Sequence, residues 1–268
     1  MSARVLFLGL GIMGAPMATH LVRAGYAVTG VDPAPGRAER WAASCGGAVA
    51  SDPRAAVADA AFVVTCVSDE AALDRLAFAG GLAARLAAGG CWIDHTTTSA
   101  SLARRLAEAA AQRGAAFVDA PITGAAVAAE AGTLAAMVGG TDIAFRAAEP
   151  VIACYAQTTR HVGPAGAGQV AKMMNQLCIA GTVRGLYEAI TLGRTASIDL
   201  DAVFAVLRAG SAQSVQMDRR IAALDRASRD FAADYGWIAK DLEIALEEAL
   251  SREADLPVTA AILKLLRG

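Results

Sequence analysis

The sequence predicts two folds in series: an α/β domain built on a doubly wound parallel sheet, then an all-α domain. Three observations carry that expectation. As far as about residue 162, short apolar runs alternate with helical patterns, the signature of right-handed βαβ units. One run, Phe62 to Val67, is continuously apolar, as a strand covered on both faces requires. Beyond Val162-Gly163-Pro164 the pattern changes: from Ala165 to Thr195 no proline occurs and apolar residues keep a helical period. The expected domains are therefore 1–162 and 163–268, joined by a helix of roughly 45 Å.

Taken in order, the chain reads as follows. A strand over 4–8 meets a glycine turn and a helix over 12–24, with Gly25 as its stop. A strand over 27–31 is broken off by Pro33 and Pro35, and a helix over 38–43 and a short strand over 48–50 follow. Ser51-Asp52-Pro53 reads as an N-cap with proline just inside a new helix. The strand over 62–67 leads to a helix over 69–78 and a strand over 91–94. Ser99 caps a helix running to Arg113. Strands over 116–119 and 134–138 precede a helix over 143–154 that Pro150 should interrupt. After the long helix come helices over 200–209, 214–224, 235–251 and 258–266.

Composition narrows the function. The 268 residues are 55% hydrophobic but only 5% aromatic, so the core is aliphatic and alanine-rich. Net charge is −2, without a basic run or an acidic tail, so bulk charge supports neither nucleic-acid nor membrane binding. No uncharged apolar stretch reaches the ~20 residues of a membrane span. The apolar run at the start is short and punctuated by glycine, which makes it a strand rather than a targeting leader. Cys45, Cys66, Cys91, Cys154 and Cys178 form no CxxC pair and sit among apolar residues, as reduced core thiols of a cytoplasmic protein do. No His/Asp/Glu cluster has metal-ligand spacing, so no metal is expected.

The chemistry begins at Gly9-Leu10-Gly11-Ile12-Met13-Gly14, where the spacing GxGxxG follows a strand and opens a helix. Gly9 permits the tight turn, Gly11 lets a pyrophosphate approach the backbone, and Gly14 lets helix and strand pack closely. The helix N-terminus offers free N–H groups to phosphates. This is the fingerprint of a Rossmann-like dinucleotide site. Asp32 ends the second strand 18 residues after Gly14. A carboxylate there accepts hydrogen bonds from the adenosine ribose and repels a 2′-phosphate. Pro33-Ala34-Pro35 supplies no arginine, although Arg37 is near. The cofactor expected is NAD, with NADP second.

A second signal lies on the long helix. Lys172, Asn175 and Gln176 fall at i, i+3 and i+4 on one face, after the small residues Gly166-Ala167-Gly168. Small residues allow a ligand or another backbone to come close. Spacing alone favours a solvated stripe. Val170, Ala171, Met173 and Met174 argue for partial desolvation, which lowers a lysine's pKa toward the range useful for proton exchange.

Four separated motifs together resemble the β-hydroxyacid dehydrogenase family, similar to 3-hydroxyisobutyrate and tartronate semialdehyde enzymes and more distantly to phosphogluconate dehydrogenase. They are Gly9 to Ala18; Asp119-Ala120-Pro121-Ile122-Thr123-Gly124-Ala125 with Gly132-Thr133-Leu134 and Met137 to Gly140; Gly163 to Asn175; and Lys240-Asp241-Leu242. The resemblance implies a dehydrogenase acting on a small hydroxy acid, with Lys172 relaying the hydroxyl proton. It implies that Thr123 and Gly124 hold the substrate carboxylate and that Asn175 orients substrate groups. Thr96 and Thr97, in the family's Asp-x-Ser-Thr segment, fall near substrate and nicotinamide respectively. Val67 and Ser68 line the cofactor, with the Gly9–Gly14 turn and Asp32, and Lys240 reaches over it.

Some residues depart from the family pattern. Thr123-Gly124-Ala125 stands for Ser-Gly-Gly, Asn175-Gln176 for Asn-Asn, and Thr96 for a common Ser. Each adds bulk at the substrate end, which points to an altered substrate rather than lost chemistry. The chain also ends at Gly268, sooner after Leu256-Pro257 than most relatives, implying a reduced final helical segment. His95 is expected to line the site rather than act in it, His20 and His161 to be structural, and Asp241 to pair with Lys240 or cap a helix. Two alternatives are an imine reductase, against which Lys172 and Asp32 both argue, and a non-catalytic NAD-binding protein. The apolar long helix and alanine-rich helical domain suggest a homodimer or homotetramer.

Overall fold

A computed structural model describes residues 2–50, 52–221 and 235–267. They gather into two units, Met1–Lys172 and Met173–Gly268. The first is the expected α/β sheet. Strands β1 (Arg4–Leu8), β2 (Ala27–Val31), β3 (Ala48–Val49), β4 (Phe62–Thr65), β5 (Cys91–Asp94) and β6 (Ala116–Asp119) lie in the order β3-β2-β1-β4-β5-β6, all parallel. Strand order reverses between β1 and β4, so the carboxyl ends of those strands flank the crevice where such sheets bind ligands.

Alternation along β1 shows why the sheet is covered on both faces. Val5 and Phe7 join one core cluster with Met17, Leu21 and Trp41, whereas Leu6 and Leu8 join another with Leu73, Trp92 and Leu106. Trp92 meets Phe117 edge to face at 5.4 Å.

Helix starts follow the caps. Asp52, Asp69, Ser99 and Thr141 each accept a backbone N–H from the first turn of α3 (Pro53–Asp59), α4 (Glu70–Asp74), α5 (Ala100–Ala111) and α7 (Asp142–Ile152). Ser51, expected in the cap before α3, lies outside the described residues. The remaining helices here are α1 (Gly14–Arg23), α2 (Arg37–Cys45) and α6 (Ala125–Ala131). Past α4 the chain widens into a π turn over Arg75–Ala79.

Several elements depart from expectation. β7 (Ile122–Thr123), α6 and β9 (Ala156–Gly163) were not anticipated. β9 is an edge strand whose residues are largely polar and exposed, so it lacks an apolar run. β8 (Leu134–Gly140) runs antiparallel to β6 and β7 and parallel to β9, so the sheet is parallel only as far as β6. Pro150 does not interrupt α7. It sits in the last turn, where the missing N–H forfeits a single helical bond.

The second unit is helical throughout its described residues. It holds most of α8 (Ala167–Thr195), then α9 (Leu200–Arg208), α10 (Val215–Ile221) and the helices Ala239–Ser251 and Pro257–Arg267. Residues 222–224 of the helix expected over 214–224 lie outside the described residues, and the helix expected over 235–251 begins at Ala239, after a tight turn over Gly236–Ile238. Val183, Tyr187, Ile238, Leu242 and Leu263 share one apolar cluster, and Ile190, Phe204 and Met217 share another. Among the described residues no helix is long and apolar enough to cross a membrane.

Candidate active site

The Gly9–Gly14 turn is built as its spacing requires. Gly9 has φ +99°, and a Cβ on it would lie 2.2 Å from the Cys66 carbonyl. A Cβ on Gly14 would lie 1.9 Å from the Gly9 carbonyl. A Cβ on Gly11 would meet nothing within 4 Å, so the space above it is open to a ligand. The N-terminus of α1 has no side-chain cap and no acidic residue in its first turn, so no carboxylate competes with an anion there, although Ala15 N–H is already taken by the Gly11 carbonyl. Leu10 is buried, Ile12 is exposed and Met13 is half-buried. These features fit a dinucleotide pyrophosphate.

Asp32 is more engaged than a waiting ribose acceptor. Its side chain is 3% exposed. Leu10 N–H donates to Oδ2 at 2.8 Å and Ala34 N–H to Oδ1 at 2.8 Å. The Arg37 guanidinium donates to both oxygens, at 3.1 and 3.3 Å. Arg37 also lines, with Leu10, Pro16, Arg23, Arg40 and Trp41, a groove of about 510 Å³ between α1 and α2. An arginine therefore does stand at the end of β2, beside the acid rather than in place of it.

The loops after β4, β5 and β6 form one polar lattice. After β4, Val67 and Ser68 reach the strand-end edge. Val67 N–H donates to Thr96 Oγ1 at 3.2 Å, and Ser68 donates to Asp69 at 2.7 Å. After β5, Thr96 is only 2% exposed and its N–H donates to Asp94 Oδ1 at 3.2 Å. Thr96 therefore holds the Val67 loop from behind, while Thr97 is half-buried beside it. Glu70 takes the Ser99 N–H and hydroxyl at 2.6 and 2.8 Å, tying α4 to the same loop.

His95 is a strut. Its Nδ1–H donates to the Ala120 carbonyl at 2.6 Å, leaving Nε2 to accept the Tyr155 hydroxyl at 2.8 Å. Burial pulls its pKa down to about 4 against the opposing pull of the Ala120 carbonyl, so it is neutral.

Two buried carboxyls stand on neighbouring strands, since Asp94 and Asp119 are register partners at the ends of β5 and β6. Burial pushes Asp94 up to about 7, opposed by hydrogen bonds from Thr65 and Thr96 and reinforced by Asp119. Its Oδ2 has no partner among the described residues. Burial lifts Asp119 to about 6, opposed by the N–H groups of Gly166, Gln169 and Gly168. Asp119 thus caps the start of α8. Gly168 is where another backbone comes close, since a Cβ there would lie 2.5 Å from the carbonyls of Asp119 and Met137. Burial also holds the Cys66 and Cys91 thiols near 12, so neither is a nucleophile. Cys178, expected in the core, is exposed.

Lys172 closes the first unit. It is half-buried, and its Nζ donates to the Ile122 carbonyl at 2.9 Å. That places Nζ against β7, one residue before Thr123. Gly124 follows with φ +133°, and a Cβ there would lie 2.5 Å from that of Ala128. Ala125 keeps φ +63°, a glycine backbone on a residue that bears a side chain. Within the second unit, Asn175 donates to Gln176 at 2.9 Å and the buried Gln176 donates to Asp241 at 2.6 Å. Lys240 lies 3.7 Å from Asp241. The longer amide at 176 thus has a partner. Asp119 and Gln169 fall inside the second and third motifs, but the tie between them escaped the sequence reading, because nothing in the chain marks a buried polar tie across 50 residues.

Two family models divide the chain between them. The NAD binding domain of 6-phosphogluconate dehydrogenase matches residues 4–163, and the NAD-binding domain of NADP-dependent 3-hydroxyisobutyrate dehydrogenase matches residues 166–268. The chain belongs to the β-hydroxyacid dehydrogenase family. Within that family it is 32% identical over 272 residues to an NAD-dependent L-serine dehydrogenase of Pseudomonas aeruginosa, covering 98% of this chain and 91% of that one. It is 31% identical over 271 residues to the 2-(hydroxymethyl)glutarate dehydrogenase of Eubacterium barkeri, covering 100% and 89%. The solved Mycobacterium tuberculosis 3-hydroxyisobutyrate dehydrogenase with L-serine superposes with a TM-score of 0.86 at 31% identity, covering 98% of this chain and 92% of that one. This β-hydroxyacid dehydrogenase relative is accordingly an oxidoreductase that acts on a CH–OH group with a nicotinamide cofactor.

Proposed function

We propose that the protein oxidises the alcohol carbon of a small, 3-hydroxyisobutyrate-like β-hydroxy acid with NAD, or runs in reverse on the semialdehyde. The observation that supports this most directly is Lys172 Nζ seated 2.9 Å from the Ile122 carbonyl, beside Thr123 and Gly124. The L-serine and 3-hydroxyisobutyrate dehydrogenases among the relatives suggest the substrate class.

In this reading Lys172 accepts the proton of the substrate hydroxyl, and the Ile122 carbonyl aims its amine. Thr123 and Gly124 hold the carboxylate, which fixes the carbinol carbon. Thr97, Val67 and Ser68 line the cofactor side, while Thr96 supports Val67 from behind and reaches the substrate only through it. Asn175 and Lys240 are assigned to substrate and cofactor on the resemblance alone. The nicotinamide, when bound, supplies the hydride acceptor. NAD is preferred to NADP because the Asp32 carboxylate lies at the end of β2. The five cysteines suit a reducing cytoplasm. Exposed Leu192, Val206, Trp237 and Leu250 in the helical unit suit a homodimer or homotetramer, which sedimentation would reveal.

The test compares Lys172→Ala with Lys172→Arg in a screen of hydroxy acids for NADH production. Arginine keeps the charge but cannot release a proton. Both variants should lose kcat by a factor on the order of 10²–10⁴ while still binding NAD. Near-normal turnover in Lys172→Arg would show that the position supplies charge alone.

A further inference from the structure

Gln169 is fully buried, and its amide must satisfy both ends inside the protein. Nε2–H donates to the Thr96 carbonyl at 2.7 Å, and Oε1 accepts the Thr98 N–H at 3.0 Å. Those two backbone groups flank Thr97. One side chain therefore clasps that residue as a neighbouring strand would. Its own backbone N–H donates to Asp119 Oδ2 at 2.9 Å, and Asp119 Oδ1 takes the Gly166 N–H at 2.7 Å.

Lys172 lies three residues further along the same helix, with Nζ on the Ile122 carbonyl. The first turns of α8 are thus fastened at three points. Asp119 ties them to the end of β6, Gln169 to the loop after β5, and Lys172 to β7. Gln169 links the lysine's helix to the loop carrying Thr97 through two hydrogen bonds.

We propose that Gln169 is a positioning residue for the reaction. It sets Thr97 against Lys172, so that the loop after β5 and the proton-carrying turn of α8 move as one body. This rests on the proton-relay reading of Lys172.

Two variants and two readouts test it. Gln169→Leu fills the space but leaves the Thr96 carbonyl and Thr98 N–H without partners. Gln169→Glu reproduces the donor and acceptor pattern only while its carboxyl is protonated. When ionised it turns a second acceptor on the Thr96 carbonyl. In Gln169→Leu, kcat should fall roughly 10- to 100-fold, while KM for NAD stays within about threefold, as expected of lost orientation. The activity of Gln169→Glu relative to the unsubstituted enzyme should rise as pH falls from 8 to 6. A flat ratio, or a kcat in Gln169→Leu close to the starting value, overturns the proposal.

The second readout needs no turnover. Hydrogen exchange should quicken together in segments 95–99 and 166–172 of Gln169→Leu, with β5 and β6 unchanged. Exchange that quickens everywhere, or in one segment alone, overturns the coupling. If Lys172→Arg stays active the proton-relay reading fails, and the exchange result still decides whether Gln169 joins the two segments.

Discussion

The turn at Gly9–Gly14 and the turn at Thr123–Ala125 both bend the chain at the carboxyl edge of the sheet, but they meet their backbone demands differently. In the first, the left-handed position belongs to Gly9 and the crowded one to Gly14. In the second, Gly124 takes φ +133° while Ala125 takes φ +63° with a side chain attached. A left-handed non-glycine residue costs on the order of 1–2 kcal/mol. That the loop keeps this shape shows that its surroundings impose it: Gly124 is packed on Ala128 and Leu134, and Ile122 is paired with Ala136. The first turn is specified by residue type, the second by context. A context-specified loop can accept new side chains without changing its path, which suits a loop assigned to the substrate in the proposed reading and departing there from the family pattern.

The sharpest way to break the comparison is at the first turn, where type is everything. Gly14→Ala drives a Cβ into the Gly9 carbonyl, 1.9 Å away, with no flexible atom to yield. It should cost about 3 kcal/mol, lowering Tm by roughly 10 °C and abolishing cofactor binding. Gly11→Ala meets no protein atom within 4 Å. It should leave Tm unchanged yet weaken NAD binding roughly tenfold or more, about 1.4 kcal/mol. Thermal melts and fluorescence titration of NADH separate the two. Equal effects from both substitutions would mean that Gly11 serves packing rather than the ligand.

A smaller effect is expected at Asp32. A bare carboxylate there would repel a 2′-phosphate, but this one is bridged by Arg37 at 3.1 and 3.3 Å. Removing the cation with Arg37→Ala should lower kcat/KM for NADP about tenfold, roughly 1.4 kcal/mol, and change that for NAD by less than threefold. An unaltered NAD-to-NADP ratio would mean that Arg37 only holds the turn.

These two edges also explain how much could be read beforehand. β1, β2, β5 and β6 run over the residues expected, because each is an apolar run bounded by turn residues. Asp32 and the glycines were legible because cofactor chemistry fixes their spacing locally. The clasp of Gln169 on the Thr96–Thr98 backbone was not, since it joins residues more than 70 positions apart, and a buried glutamine has no sequence signature. Thr96 was expected to face the substrate, but nothing local could show that its hydroxyl is occupied by Val67 N–H. β9 escaped for the opposite reason: its residues are largely polar and mostly exposed or half-buried, so it presents no apolar run.

The edges differ electrostatically as well. Asp32 has both oxygens matched, whereas Asp94 keeps Oδ2 unmatched and is pushed up to about 7 by burial. The native state therefore holds this proton up to about pH 7, while the unfolded chain gives it up near the model-peptide value of ~3.9. Stability contributed by Asp94 rises as pH falls from above 7 toward 4 and is lost as pH climbs back through 7. Asp94→Asn keeps an acceptor for Thr65 and Thr96 but cannot ionise. At pH 8 it should melt above the unsubstituted protein by a few degrees, on the order of 1 kcal/mol, and the gap should narrow steadily as pH falls from 7 toward 4. A gap independent of pH would place the cost of Asp94 in packing rather than charge.

The smallest expected effect tests the comparison at its source. Ala125 is exposed, so replacing it by glycine sacrifices no packing. Ala125→Gly removes the left-handed strain but widens the unfolded ensemble by about 0.4–1 kcal/mol, and the two effects nearly offset. A net stabilisation of about 0.5 kcal/mol is expected, alongside an unchanged KM for the hydroxy acid, since context rather than residue type sets the path of the loop. Chemical denaturation measures the first and initial rates the second. If instead the substitution shifts KM severalfold, the alanine itself shapes the substrate end, and the two turns would be alike in depending on residue type.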